Sequence, residues 1–459
     1  MPRTFPSWAS ILTGRYPHGH GVRHMFPRAR QGPLIRDGLP ELLAARGYRT
    51  AVVSDFAGDV FRRGDFGFAH VDAPEFTLAS NVRLGGLKLH VHLLPYLVEL
   101  ARGAGHPELL AFERLGDPTW LTDRALDWLD GPAAAGGPFF LTVFYSSGHF
   151  PFASPAPFYD RFTDPAYRGR SRFHKATLGN PLADPAARAA EEQHIRGLYR
   201  GAVAASDAAI GELLAGLDAR GLLANTVVVV TADHGEMLYE HDLGVGHGDH
   251  LYGRHTLNVP LLIRWPGLPP ARAGARVATT TPLVDVAPTV LARVGLPAPD
   301  GVDGVDLGPV ITGTAPPTDR PVFAETGLTF FPPETHRVDD RIRFAKGFDA
   351  FRFDTETWAI TLDPRFEAMA LAAKQRVLIA HGRKLLYIPT RDGVRFELYD
   401  PANDPGDAHD LAALEPARVA ALKAQLYAWM LADPDATRLG DYVVPRGPLA
   451  PSLAGAVAP

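Results

Sequence analysis

Thr226-Val227-Val228-Val229-Val230-Thr231 runs without a break into Ala232-Asp233-His234-Gly235-Glu236. A nearly pure β-branched run predicts a strand buried on both faces. A carboxylate and an imidazole directly after it would stand at the carboxyl end of that strand, where open α/β sheets gather ligands. The same alternation extends outward on both sides. Leu39–Arg46 reads as an amphipathic helix stopped at Gly47, and Tyr48–Ser54 as a strand. Thr119–Leu129 reads as a helix and Phe139–Tyr145 as a strand. Glu191–Arg220 is a long helical stretch with room for one break, and Val259–Arg264 is a further strand. Repeated βα units of this kind indicate an α/β layered fold on a mostly parallel sheet.

After about Gly313 the pattern changes. Ala315-Pro316-Pro317 and the loop Phe330–His336 precede shorter strands at Val322–Glu325, Trp358–Thr361, Lys384–Ile388 and Val394–Tyr399. A helix follows at Pro416–Leu431. The expected fold is therefore α/β, a three-layer sandwich around a large mixed sheet, with a smaller C-terminal α+β domain on an antiparallel sheet. Its boundaries fall at 1–320 and 321–435, with a loose Pro-, Ala- and Gly-rich tail over 436–459.

Composition bounds the function. The chain has 459 residues, with 46 Lys plus Arg against 51 Asp plus Glu, a formal charge of -5. That balance argues against a nucleic-acid partner, which needs a basic face, but permits an anionic ligand held by local charge. There is no cysteine, so disulfides, thiolate metal sites and thiol nucleophiles are excluded. Residues 1–30 carry Arg, His and Pro where the apolar centre of an export signal is expected, and none is read there. No apolar run reaches about 18 residues, so no membrane span is expected. The nearest candidate, Leu87–Leu100, holds Lys, two His and Pro, and reads as a buried or surface-docking element.

The chemistry concentrates in three places. Asp233 and His234 supply hard oxygen and borderline nitrogen, suited to a divalent ion such as Zn, Mn or Ca, although capping of the next turn uses the same residues. His241, His247, His250 and His255 follow, and Gly246 and Gly248 around His247 allow close approach of a ligand. His149 comes just after another apolar strand and so is expected on the same sheet edge as Asp233. The third place is the start of the chain. Pro6 suits the first turn of a helix and Gly14 its end, which puts Thr4 at a helix N-terminus, where anions are favoured. A hydroxyl there attacks phosphorus or sulfur when a metal lowers its pKa; read alone, Thr4 is a cap.

Together these stretches resemble the alkaline phosphatase superfamily in its sulfatase-like branch. The resembling blocks are PSWASILTGRYPHGHGV, LPELLAARGYRTAVVS, HFPF, VVVVTADHGE, GHGDHLYGRHTLNVPLLIRWPG, PLVDVAPTVLARVGLPAPDGVDG and FELYDPANDPGDAHDL, in that order. The resemblance implies Thr4 as nucleophile, His149 and His247 as groups that contact substrate or, in two-metal relatives, metal, and Asp233 and His234 as metal ligands. Trp8 and Arg15 fall at substrate-binding positions. The implied activity is metal-dependent hydrolysis of sulfate or phosphate esters, on a small anionic ester whose carrier is a glycan or lipid head group.

Four departures refine this. Thr4 replaces the Cys or Ser that sulfatases convert to formylglycine, and oxidising its secondary alcohol would give a ketone. Trp8 replaces an Arg, His247 stands where many sulfatases keep Lys, and Ser54-Asp55-Phe56-Ala57 occupies the place of a Lys-x-His. These favour phosphoester or phosphodiester chemistry through Thr4 over sulfate. The resemblance also implies a strand with an acidic pair ahead of the nucleophile. Nothing precedes Met1-Pro2-Arg3, so a start in mid-domain is expected. Two other readings stand beside hydrolysis: a non-catalytic, degenerate relative that binds an anionic glycan or lipid head group, and transfer to an envelope acceptor. Localisation is expected in the envelope or periplasm if an export signal or anchor lies upstream, and in the cytoplasm otherwise.

Overall fold

A computed structural model describes residues 1–27, 33–74, 117–131, 137–172, 184–242, 244–327, 350–353 and 360–447. The expectations for Leu87–Leu100 and Phe330–His336 lie outside these residues. In chain order the elements used below are α1 (Thr4–Thr13), α2 (Leu39–Ala44), β1 (Arg49–Ser54), β2 (His70–Asp72), α3 (Pro118–Asp130), β3 (Phe139–Phe144) and α4 (Pro185–Ala219). Then come β4 (Val228–Thr231), β5 (Met237–Leu238), β6 (Val245–Gly246), β7 (Leu261–Arg264), α5 (Val286–Arg293), β8 (Val322–Glu325), β9 (Phe351–Phe353) and β10 (Ile360–Leu362). The last are β11 (Arg376–Ala380), β12 (Arg383–Thr390), β13 (Gly393–Tyr399), α6 (Pro416–Leu431), β14 (Ala436–Leu439) and β15 (Tyr442–Pro445).

The chain divides into two units that cut across the expected boundary at 320. One comprises Pro40–Thr226 with Thr355–Ala359; the other comprises Met1–Leu39, Val227–Asp354 and Ile360–Pro459. The class is mixed α/β, with a parallel sheet and smaller antiparallel sheets.

The unit built on residues 40–226 holds the parallel sheet, in the order β2-β1-β3. β1 runs in register with β3 from Arg49 opposite Phe139 to Ser54 opposite Phe144. Ala51, Val52 and Val53 are fully buried, as a central strand requires. Val53 packs with Leu121 and Ala125 of α3, and Leu213 of α4 closes the cluster. α4 is one unbroken helix of 35 residues. Asp184 caps it through the Ala187 N–H, and Pro185 takes its first turn without losing a bond.

The second unit carries α1, β4 and the C-terminal sheet. Every residue of α1 is buried. It ends because Gly14 turns left-handed, at φ 69°, and returns its N–H to Ser10. A side chain there would stand 2.9 Å from Val302 Cγ1, so glycine is needed twice over. β4 departs from expectation. It pairs antiparallel with β7, and its residues are half-buried rather than covered on both faces. The physical reason is that β7 is its sole partner among the described residues, and Leu262 of β7 is itself 58% exposed.

The antiparallel sheet β13-β12-β11-β8 is covered on both faces. Leu385 and Tyr387 of β12 face a core with Leu422 and Leu426 of α6, while Leu386 and Ile388 meet Leu251 and Tyr252. Burial on two sides explains why Lys384–Ile388 reads as a continuous run. The expected tail starts later than residue 436, because β14 and β15 form a hairpin there. Tyr442 and Val444 of this hairpin bury against Ala372, which is the free energy source a sequence-local reading of this segment lacks.

Candidate active site

α1 begins at Thr4, and its N-cap residue Arg3 makes no side-chain cap bond. Thr4 is 3% exposed, and its Oγ1 lies 3.3 Å from His234 Nε2. His234 and Asp233 follow β4 directly. The Ser7 hydroxyl, one turn into α1, donates to the Asp233 carbonyl at 2.5 Å, which pins the helix to the strand end. Gly235 is required here: a Cβ on it would collide with the His255 carbonyl oxygen, and its N–H already donates to the Thr256 carbonyl at 3.0 Å.

The tautomer of His234 follows from its neighbours. Nδ1 lies 2.9 Å from the Gly235 carbonyl, an acceptor only, so Nδ1 carries the hydrogen and Nε2 keeps its lone pair in the neutral ring. Asp233 Oδ1 accepts the His234 N–H at 3.0 Å. Asp233 Oδ2 is buried, lacks a hydrogen-bond donor and stands 3.3 Å from His234 Nε2. Two lone-pair atoms held this close are unfavourable unless a proton or a cation sits between them. The donor set of one carboxylate oxygen, one imidazole nitrogen and the Thr4 hydroxyl fits a divalent ion. Among the described residues no group of three or more His, Asp or Glu forms a ready cage.

His247 joins this cluster. Its ring centre lies 4.1 Å from that of His234, and its Nδ1 is 3.1 Å from Glu236 Oε2. Glu236 was not singled out from the sequence, although it closes the Asp-His-Gly-Glu run; β5 and β6 pair antiparallel and bring His247 back beside it. Arg3 adds a second link to this loop, because its Nη2 donates to Asp249 Oδ1 at 2.5 Å.

The remaining candidates are Trp8, Arg15 and His149. Trp8, one turn along from Thr4, is buried at 9% exposure. Arg15 lies past the far end of α1, about 15 Å away along the axis. It donates to the Asp300 carbonyl at 2.8 Å and the Arg36 carbonyl at 3.2 Å, so it braces loops and is not brought into the cluster. The reason is the Gly14 turn, which directs the chain away after α1. His149 belongs to the other unit and does not share the sheet edge of Asp233: it follows β3 of the β2-β1-β3 sheet, whereas β4, among the described residues, pairs with β7 alone. There its Nδ1 is 2.8 Å from the Phe150 carbonyl, and its ring meets Phe56 edge-on. Asp55, in the same unit, accepts the Ser146 N–H at 3.1 Å, and burial raises its carboxyl to about 6.

Of the histidines around α1, His20 and His24 are structural. The Val22 N–H donates to His20 Nδ1 and the Phe26 N–H to His24 Nδ1. Burial lowers both rings to about 3.

These features define a mixed α/β protein whose strand-end carboxylate and imidazole meet a hydroxyl at the start of a helix. The chain belongs to the sulfatase family, whose model matches residues 1–296. The ulvan-active sulfatase of Formosa agariphila is 28% identical over 326 residues, covering 70% of this chain and 58% of that protein. The multifunctional alkaline phosphatase superfamily protein PehA of Trinickia caryophylli is 29% identical over 231 residues, 44% of this chain and 43% of that protein. The chain thus spans less than two thirds of the length of these curated relatives. In fold it is similar to the phosphonate monoester hydrolase of Agrobacterium radiobacter, with a TM-score of 0.64 at 21% identity over 97% of this chain and 90% of that one.

Proposed function

We propose that the protein is a metal-dependent hydrolase of sulfate or phosphate esters, with phosphoester or phosphodiester chemistry through Thr4 favoured. The observation that carries this reading is the convergence of Thr4 Oγ1, His234 Nε2 and Asp233 Oδ2 within successive 3.3 Å steps. Family membership supports the ester class, and members of this superfamily generally depend on a divalent metal. Asp233 and His234 would hold that ion, which would supply Lewis-acid stabilisation of developing negative charge when bound.

In this reading Thr4 Oγ1 releases its proton to solvent as it attacks the phosphorus, the bond to the leaving oxygen breaks, and a covalent phosphothreonine forms. His247 assists the leaving oxygen through Nε2, because Glu236 engages Nδ1 and fixes the ring. Ser7 and Gly235 hold the two ends of the site in place. Water then releases the phosphate; an alcohol acceptor in its place would make the same site a transferase. The substrate is a small anionic ester, and a relative named for ulvan supports a glycan carrier.

The test is turnover of an aryl phosphate, a bis-aryl phosphodiester and an aryl sulfate with added Zn, Mn or Ca. Thr4→Ala should abolish metal-dependent turnover. Equal rates in Thr4→Ala and the parent chain would remove Thr4 from the mechanism. The non-catalytic reading is favoured by the two-residue acid–imidazole set; tight anion binding without turnover of any of the three esters would establish it.

A further inference from the structure

Lys384 and Asp407 are 2% and 1% exposed, and a buried ion pair without a purpose is commonly worth no more than apolar residues of the same size. This pair has a distinctive set of partners. Lys384 Nζ donates to the Leu251 carbonyl at 2.7 Å, the Gly253 carbonyl at 2.6 Å and Asp407 Oδ2 at 2.5 Å. Asp407 Oδ2 also accepts the Gly253 N–H at 2.7 Å. Gln375 Oε1 accepts the Leu251 N–H at 3.1 Å. The backbone of 251–253 therefore has four of its polar groups taken by the side chains of Lys384 in β12, Asp407 in the turn after β13 and Gln375 just before β11.

That turn is itself tightly set. Asp404 braces it through the Ala408 and His409 N–H groups, and Asp407 is held at φ 54°, a left-handed backbone that only a firmly supported non-glycine residue adopts. The apolar half of the dock is formed by Leu251 and Tyr252 against Val377, Leu386 and Ile388. Apolar packing buries the loop without choosing its register; directional bonds to successive carbonyls choose it. Upstream the same loop carries His247, and downstream its Thr256 carbonyl holds the Gly235 N–H.

We infer that Lys384 and Asp407 are positioning residues: they set the register of residues 247–256 and, through that loop, the placement of His247 and Gly235. The catalytic part of this inference rests on the ester-hydrolase reading above; the geometric part does not.

The test compares the full chain with Lys384→Met and with Ile388→Val, which loosens the apolar half of the dock and leaves the ion pair intact. Hydrogen exchange read by mass spectrometry should show peptides over 247–256 exchanging at least tenfold faster in Lys384→Met, while peptides over β13 and α6 change by less than twofold. Ile388→Val should leave 247–256 protected. With an aryl phosphate, Lys384→Met should lose at least tenfold in kcat with KM within threefold. Unchanged protection of 247–256 in Lys384→Met, or an equal rise in both variants, would overturn the inference. If Lys384→Met does not fold, Asp407→Asn is read by the same criteria. Local loss of protection with no turnover by the parent chain would uphold the clamp and sink the hydrolase reading. Turnover that survives Lys384→Met at the parent kcat would sink the positioning role alone.

Discussion

Thr4 and His234 are 230 positions apart in the chain and 3.3 Å apart in space. Both were legible as candidates, Thr4 from its place before a Pro-Ser helix start and His234 from its place after the valine run. The Glu236–His247 bond was not, because it depends on a hairpin only two residues deep on each side. Arg15 shows the opposite failure: a residue at a motif position is used by three loop groups instead. Replacing Thr4 with Ala should lower kcat by roughly a thousandfold or more, since loss of a nucleophile removes the covalent route. Glu236→Gln keeps the shape of the side chain and weakens its hold on His247, so kcat should fall about 10- to 100-fold with Tm little changed. Arg15→Ala should leave kcat within a few-fold and lower Tm, as expected of a brace.

At the scale of elements, the helices were the most legible. α6 spans Pro416–Leu431, the limits expected from its initial proline and apolar spacing. β4 was legible as a strand but not as one half of an antiparallel pair, because orientation is decided by β7, some thirty residues on. The β14–β15 hairpin was missed because its apolar partners lie on other elements. The segment just after α1 yields a pH prediction. His20 and His24 have folded-state values near 3, lowered by burial, against an ordinary value of 6.5. The unfolded chain therefore binds more protons between these values, and stability falls as pH drops from about 6.5 towards 3. The slope should approach ~1.4 kcal/mol per pH unit for each ring. Denaturant midpoints from pH 7 to 4 should show this loss, and a His20→Gln variant should lower its slope by about half, leaving the His24 share; a flat profile in the parent chain would show that these rings are not held neutral. Gly235→Ala should lower both stability and turnover, because the Cβ meets backbone rather than a movable side chain.

Over the whole molecule, class and family were legible because the blocks that carry them recur in order along most of the chain. The division into units was not, since residues 1–39 pack with residues beyond 226. The unit holding the parallel sheet carries its own titration. Burial raises the Asp55 carboxyl from 3.8 to about 6, so its ionisation costs up to about 3 kcal/mol of stability as pH rises through that range. Asp55→Asn, which still accepts the Ser146 N–H, should raise the neutral-pH stability of that unit, read by hydrogen exchange over β1 and β3.

In the proposed reaction Thr4 becomes the covalent carrier of the transferred group. Rapid quench of the metal-loaded chain with an aryl phosphate, followed by peptide mass spectrometry, reads this directly. A phosphate on Thr4, absent from Thr4→Ala and lost on longer incubation, is the predicted result. Steady turnover with Thr4 unmodified at every quench time, or phosphate carried on another residue, would contradict it.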